Sequence, residues 1–62
     1  MVNHVRRIRK EAGLTIKQVS ERSGICVNQI SRIERGESDP TMSTMCKLAW
    51  ALRRDVHDLF DC

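Results

Sequence analysis

Apolar residues return at helical spacing in successive stretches of the chain, and each stretch is closed off by a turn-forming residue. Val5, Ile8 and Ala12 form a first stripe, predicting a helix from His4 to Glu11 or Ala12 with Asn3 as its N-cap and Gly13 as its stop. A second helix begins after Thr15, whose hydroxyl and Gln18 make a T-x-x-Q capping box. Gly24 separates it from a third helix spanning Val27 to Arg35 and ending at Gly36. Pro40 and Thr41 open a fourth, Thr41 as N-cap, with Met42, Met45, Leu48, Ala49 and Leu52 as its core stripe. Asp55 then caps a short last helix from Val56 to Phe60, whose Val56, Leu59 and Phe60 close the core. With few aromatics and one proline, the composition suits an all-α chain rather than a sheet.

The third stretch carries polar side chains that a core would not want. Turning about 100° per residue, Val27, Asn28, Ser31, Arg32 and Arg35 fall within one arc of roughly 140°, and Ile30 and Ile33 fall opposite. One face is built for burial and the other for presentation. Asn and Arg pair bidentately with adenine and guanine edges in a major groove, and a branched aliphatic such as Val meets a thymine methyl.

Several independent features of the run from Leu14 to Gly36 then agree. A small residue, Ser20, stands where two helices must approach, and Gly24 stands at the turn. Val19, Ile25, Ile30 and Ile33 occupy the packing positions, and I-S-R-I-E-R-G closes the third helix. The chain resembles the helix-turn-helix of the phage repressor and Cro-like (XRE-type) family, and the likeness continues through G-E-S-D-P-T-M as far as D-L-F.

That resemblance implies a compact five-helix lambda-repressor-like DNA-binding domain occupying residues 1–62, with the helix-turn-helix at about 16–35. It makes Val27, Asn28 and Arg32 the base readers, with Gln29 and Ser31 as flanking contacts. Arg35 and the turn of Glu37, Ser38 and Asp39 would lie near a phosphate strand, and Thr15 and Lys17 would meet the backbone from the start of the second helix. It pairs Arg9 with Glu34 across the first and third helices; two unrelated surface charges are the plain alternative. Arg6, Arg7 and Lys10 are expected in solvent, with a phosphate contact as the other reading.

The chain also departs from the family pattern. Ile16 stands where a Gln often grips the backbone, Ser23 where a large aliphatic is usual, and Cys26 where Ser or Thr would cap the third helix. For Cys26 a space-filling role stands beside a redox role, since helix N-termini make thiols more reactive. Glu37 and Asp39 put acids in a turn that often holds Lys or Arg, and Arg53-Arg54 replaces a Gly-Val connector. Trp50 falls on a usually polar side of the fourth helix, where it either folds back on a neighbour or meets a second subunit. Trp50, Arg54, His57 and Phe60 are the expected contacts of a homodimer.

Charge sharpens the picture. Eight Lys or Arg against three Glu give the segment Met1–Arg35 a net +5, whereas three against five leave Gly36–Cys62 at −2. The basic half holds the motif, as phosphate binding would require. At 62 residues a single domain is expected, with marginal stability in the absence of a partner or staple. Cys26, Cys46 and Cys62 have neither disulfide-framework nor zinc spacing and are expected as reduced thiols. No stretch reads as a membrane span or signal peptide, so a cytoplasmic protein, nucleoid-associated when bound to DNA, is expected. No metal, cofactor or small-molecule ligand is indicated. His4 and His57 are isolated and no acid, base and nucleophile stand at motif spacing, which argues against an enzyme. The leading expectation is a repressor-type transcriptional regulator, dimeric on a pseudo-palindromic operator of double-stranded DNA. The other reading is an antitoxin or adaptor module whose main role is to bind a protein.

Overall fold

The computed structural model describes residues 2–61, arranged as α1 (Val5–Glu11), α2 (Ile16–Ser23), α3 (Val27–Glu34), α4 (Met42–Leu52) and α5 (Val56–Leu59), with two-residue strands β1 (Val2–Asn3) and β2 (Phe60–Asp61) at the ends. Cys62 lies outside the described residues. The fold is all-α, five helices around one core, and the strands only clasp its ends.

The helix starts follow from the capping residues. Thr15 Oγ1 accepts from the Gln18 N–H at 3.1 Å while Gln18 Oε1 accepts from the Thr15 N–H at 2.8 Å, so α2 opens with a closed capping box. Thr41 Oγ1 accepts from the Thr44 N–H at 3.2 Å at the head of α4. The Asp55 N–H donates to the Asp58 carboxylate at 3.3 Å at the head of α5.

The start of α1 differs from expectation. Asn3 is not the N-cap; it sits in β1, paired antiparallel with Phe60, while His4 takes the cap position and its N–H donates to the Leu59 carbonyl at 2.7 Å. Strand pairing holds Asn3 extended and moves the helix start along by one residue. Its amide is used twice: Oδ1 accepts from the Val5 N–H at 3.4 Å, and Nδ2 donates to the Ile33 carbonyl at 2.8 Å. The same pairing ends α5 at Leu59 rather than Phe60.

Three helices end with the same two-bond closure through a left-handed residue. In α1 the Gly13 and Leu14 N–H groups donate to Lys10 and Arg9, and in α3 those of Gly36 and Glu37 donate to Ile33 and Arg32. In α4 the Arg53 and Arg54 N–H groups donate to Trp50 and Ala49. Arg53 therefore occupies a glycine's place, at φ 56°, and is the one non-glycine residue with positive φ among the described residues.

Val5, Ile8, Val19, Ile25, Ile30, Ile33, Leu48, Leu52 and Leu59 meet in a single core, with Ala49, Ala51 and Phe60 completing it. Two expected core positions fall outside. Ala12 is exposed because α1 ends before its stripe comes round again, and Arg9 takes the buried place instead. Met42 is 67% exposed, since it projects from the first turn of α4 rather than into the core, and Met45 is half-buried. Cys26 and Cys46 are free thiols exposed at the surface.

Candidate nucleic-acid interface

The corner between α2 and α3 sets the position of α3. Gly24 turns left-handed at φ 75°, and the Ser20 hydroxyl donates across the corner to the Ile25 carbonyl at 2.5 Å. Ser23, which replaces an aliphatic, is buried and accepts from the Ile25 N–H at 3.2 Å, so the turn gains a hydrogen bond where it loses apolar contact.

Ile30 and Ile33 on α3 are wholly buried at 0% exposure, and Asn3 Nδ2 holds the Ile33 carbonyl. Arg9 adds a brace from α1. Its Nε donates to Glu34 Oε2 at 2.8 Å, Nη2 to Oε1 at 3.2 Å and Nη1 to the Leu14 carbonyl at 2.9 Å. With the inner face held at three points, the outer face is free: Asn28, Arg32 and Arg35 are exposed, Val27 is 43% exposed, and Gln29 and Ser31 are half-buried. A row of amide and guanidinium groups facing water on a rigid helix has the form that base-edge recognition requires.

Beside this row runs a groove lined by Arg6, Arg9, Ile16, Ser31, Glu34 and Arg35. It joins the head of α2 to the outer face of α3. Gln18 N–H is satisfied by Thr15, whereas the Ile16 and Lys17 amides have no acceptor within their helix, which leaves them suited to an anion. Thr15 and Lys17 are both exposed. The groove is also lined by Arg6, which is exposed as expected.

The turn after α3 is held against itself. Arg35 Nε and Glu37 Oε2 are 2.9 Å apart, with both side chains at least half exposed, while Ser38 is half-buried and Asp39 is exposed. Of the two acids expected to weaken a phosphate contact, Glu37 thus engages the cation beside it.

The expected dimer residues do not share one environment. Trp50 is 72% exposed, and Arg54 and His57 are exposed. Phe60 is buried at 6% exposure and is not available to a partner. Its backbone, in β2, pairs with Asn3 of β1, and its ring completes the core. Among the described residues no group of His, Cys, Asp and Glu side chains is placed to hold a metal ion, and no helix is long and apolar enough to cross a membrane.

Comparison with known proteins agrees with this geometry. The family profile described as helix-turn-helix matches residues 5–59. The chain is 46% identical over 46 residues to an uncharacterized HTH-type transcriptional regulator of Sinorhizobium fredii, covering 74% of this chain and 60% of that protein. It is 33% identical over 61 residues to the HTH-type transcriptional regulator DdrOP3 of Deinococcus deserti, covering 98% of this chain and 47% of the relative. An uncharacterized HTH-type transcriptional regulator of Methanothermobacter thermautotrophicus is 35% identical over 57 residues, covering 90% and 83%. The chain thus spans about half to three fifths of the first two relatives' lengths.

Proposed function

Because the chain belongs to the phage repressor and Cro-like helix-turn-helix family, we propose that it is a sequence-specific DNA-binding transcriptional regulator of repressor type, acting as a homodimer on a pseudo-palindromic operator. The observation that carries this reading is the division of α3, with Ile30 and Ile33 fully buried and Asn28 and Arg32 exposed. Residues 1–62 act as one DNA-binding unit. The protein works in the cytoplasm, on the nucleoid, without a cofactor and without catalysis.

In this account α3 enters the major groove. Val27, Asn28 and Arg32 meet base edges, with Gln29 and Ser31 at the flanks. Thr15, Lys17 and the first amides of α2 take one phosphate, and Arg35 with Ser38 takes another. Phosphate contacts supply affinity and its salt dependence, and the base contacts supply choice. Trp50, Arg54 and His57 remain the contacts to a second copy; Phe60 drops out. The names of the relatives as transcriptional regulators support the regulatory part.

Selection of bound duplexes from a random pool tests the proposal. Two inverted half-sites about one helical turn, roughly 34 Å, apart should be enriched. A pool with no enriched motif after repeated rounds would overturn it.

A further inference from the structure

The two ends of α3 are held by different parts of the chain. Its start is fixed by the corner, where the Ser20 and Ser23 hydroxyls both bond to the Ile25 backbone. Its end is fixed from the N-terminal segment, by Arg9 on the Glu34 carboxylate and by Asn3 on the Ile33 carbonyl. Only Asn3 reaches the helix backbone, and it does so from 30 positions away. Its Nδ2 donates to that carbonyl at 2.8 Å while Oδ1 accepts from the Val5 N–H at 3.4 Å. The Ile33 carbonyl lies in the last turn, where the helix supplies no donor four residues on, and its other donor is the Gly36 N–H at 3.0 Å. Asn is the short side chain that offers a donor and an acceptor on separate atoms, as this place requires. Nor can it withdraw. Its backbone is paired with Phe60, whose ring is buried in the core, and the His4 N–H beside it donates to the Leu59 carbonyl at 2.7 Å.

We propose that Asn3 is a positioning residue for base reading: its amide fixes the C-terminal end of α3, and with it the aim of Arg32, the residue just before Ile33. Arg32 has to set two N–H groups on one base edge, a geometry that tolerates an error of about 0.5 Å and 10–20°. Asn28 lies about 6 Å back along the helix axis, toward the corner that Asn3 does not touch. Release of the Ile33 carbonyl swings the end of the helix about its start, so Arg32 moves further than Val27 or Asn28. Asn3 itself meets no base. The inference rests on the DNA-binding reading for what Arg32 does, and on the hydrogen bonds alone for the anchor.

Asn3→Asp in the full chain tests this, because the carboxylate keeps an acceptor for the Val5 N–H and turns an oxygen toward the Ile33 carbonyl. Asn3→Ser shortens the reach without adding charge, and carries the test should the aspartate variant not fold. Val56→Ala, at a half-buried site on α5, lowers stability without altering either hydrogen bond of Asn3 and serves as the control. All are compared where circular dichroism shows the helices intact. Without DNA, amide hydrogen exchange at residues 33–37 should quicken about fivefold in the Asn3 variants relative to Gly24 and Ile25, the worth of one ordinary hydrogen bond. With DNA, the duplex selected from the random pool competes against its single-base-pair substitutions. Discrimination should fall about fivefold at the pair whose preference Arg32→Ala relaxes, stay within about twofold at the others, and be unchanged in Val56→Ala. Unchanged exchange in the Asn3 variants overturns the anchor. Quickened exchange with discrimination intact, lost equally at every pair, or lost equally in Val56→Ala overturns the positioning role. An unaltered chain that selects no duplex defeats the DNA-binding reading instead, and exchange still decides the anchor.

Discussion

Arg9 on α1 and Glu34 on α3 are joined by two parallel hydrogen bonds of 2.8 Å and 3.2 Å, and their side chains keep only 10% and 5% of their exposure. Removing one partner strands a buried charge, which typically costs about 3–5 kcal/mol, whereas replacing both with apolar residues of similar volume is often neutral. Arg9→Met or Glu34→Leu alone should therefore leave this small domain largely unfolded, and the double substitution should recover most of the loss. Urea denaturation of the three variants measures this. Additive losses in the double variant would show that the pair is not a unit.

Arg53 ends α4 in the left-handed conformation that Gly13 and Gly36 adopt at the ends of α1 and α3. That conformation costs an ordinary residue roughly 1–2 kcal/mol, part of which a glycine returns through its freer unfolded chain. Arg53→Gly should raise stability by about 1 kcal/mol, seen as a melting temperature higher by several degrees. An unchanged or lower midpoint in dilute protein contradicts this.

Cys26 stands at the N-cap of α3 with no side-chain hydrogen bond to the helix. A hydroxyl there accepts from an otherwise unpaired amide, and good caps are worth about 1 kcal/mol. Cys26→Ser should stabilise the fold by an amount of that order in the same urea measurement. Equal stability would indicate that the backbone at Cys26 does not allow the cap to close.

Much of this arrangement was legible in the chain. The caps at Thr15 and Thr41, the corner at Gly24 and the two faces of α3 depend on local rules, and the structure follows them. Asn3 as a helix cap and Phe60 as a dimer contact were misplaced for one reason: each is governed by contacts between distant segments. The pairing of Asn3 with Phe60 brings the two ends of the chain together, and no local pattern announces a two-residue strand. It moved the start of α1, shortened α5 and turned Phe60 inward. Arg6 gains significance only when α1 is laid beside the head of α2. Met42 kept its helical spacing and still missed the core, because periodicity fixes direction around an axis but not how far along it the core extends.

Lys17 and Arg6 carry no base contact in this account; both are exposed, Lys17 in the first turn of α2 and Arg6 on the groove beside it. Lys17→Ala and Arg6→Ala should weaken binding to all duplexes alike and each lower the salt slope by about 1. Binding isotherms at several salt concentrations read this directly. A variant that changes the preferred sequence would place its side chain on the bases instead.

The central claim is that the outer face of α3 reads bases, and Arg32 is its most exposed test. The measurement is competition binding of Arg32→Ala against the selected operator and against random duplex at one salt concentration. Loss of one bidentate base contact predicts about 1–3 kcal/mol of weaker binding to the operator, with relaxed preference at a single base pair in each half-site and a much smaller change on random DNA. Equal losses on both duplexes, or no loss on either, would contradict the claim.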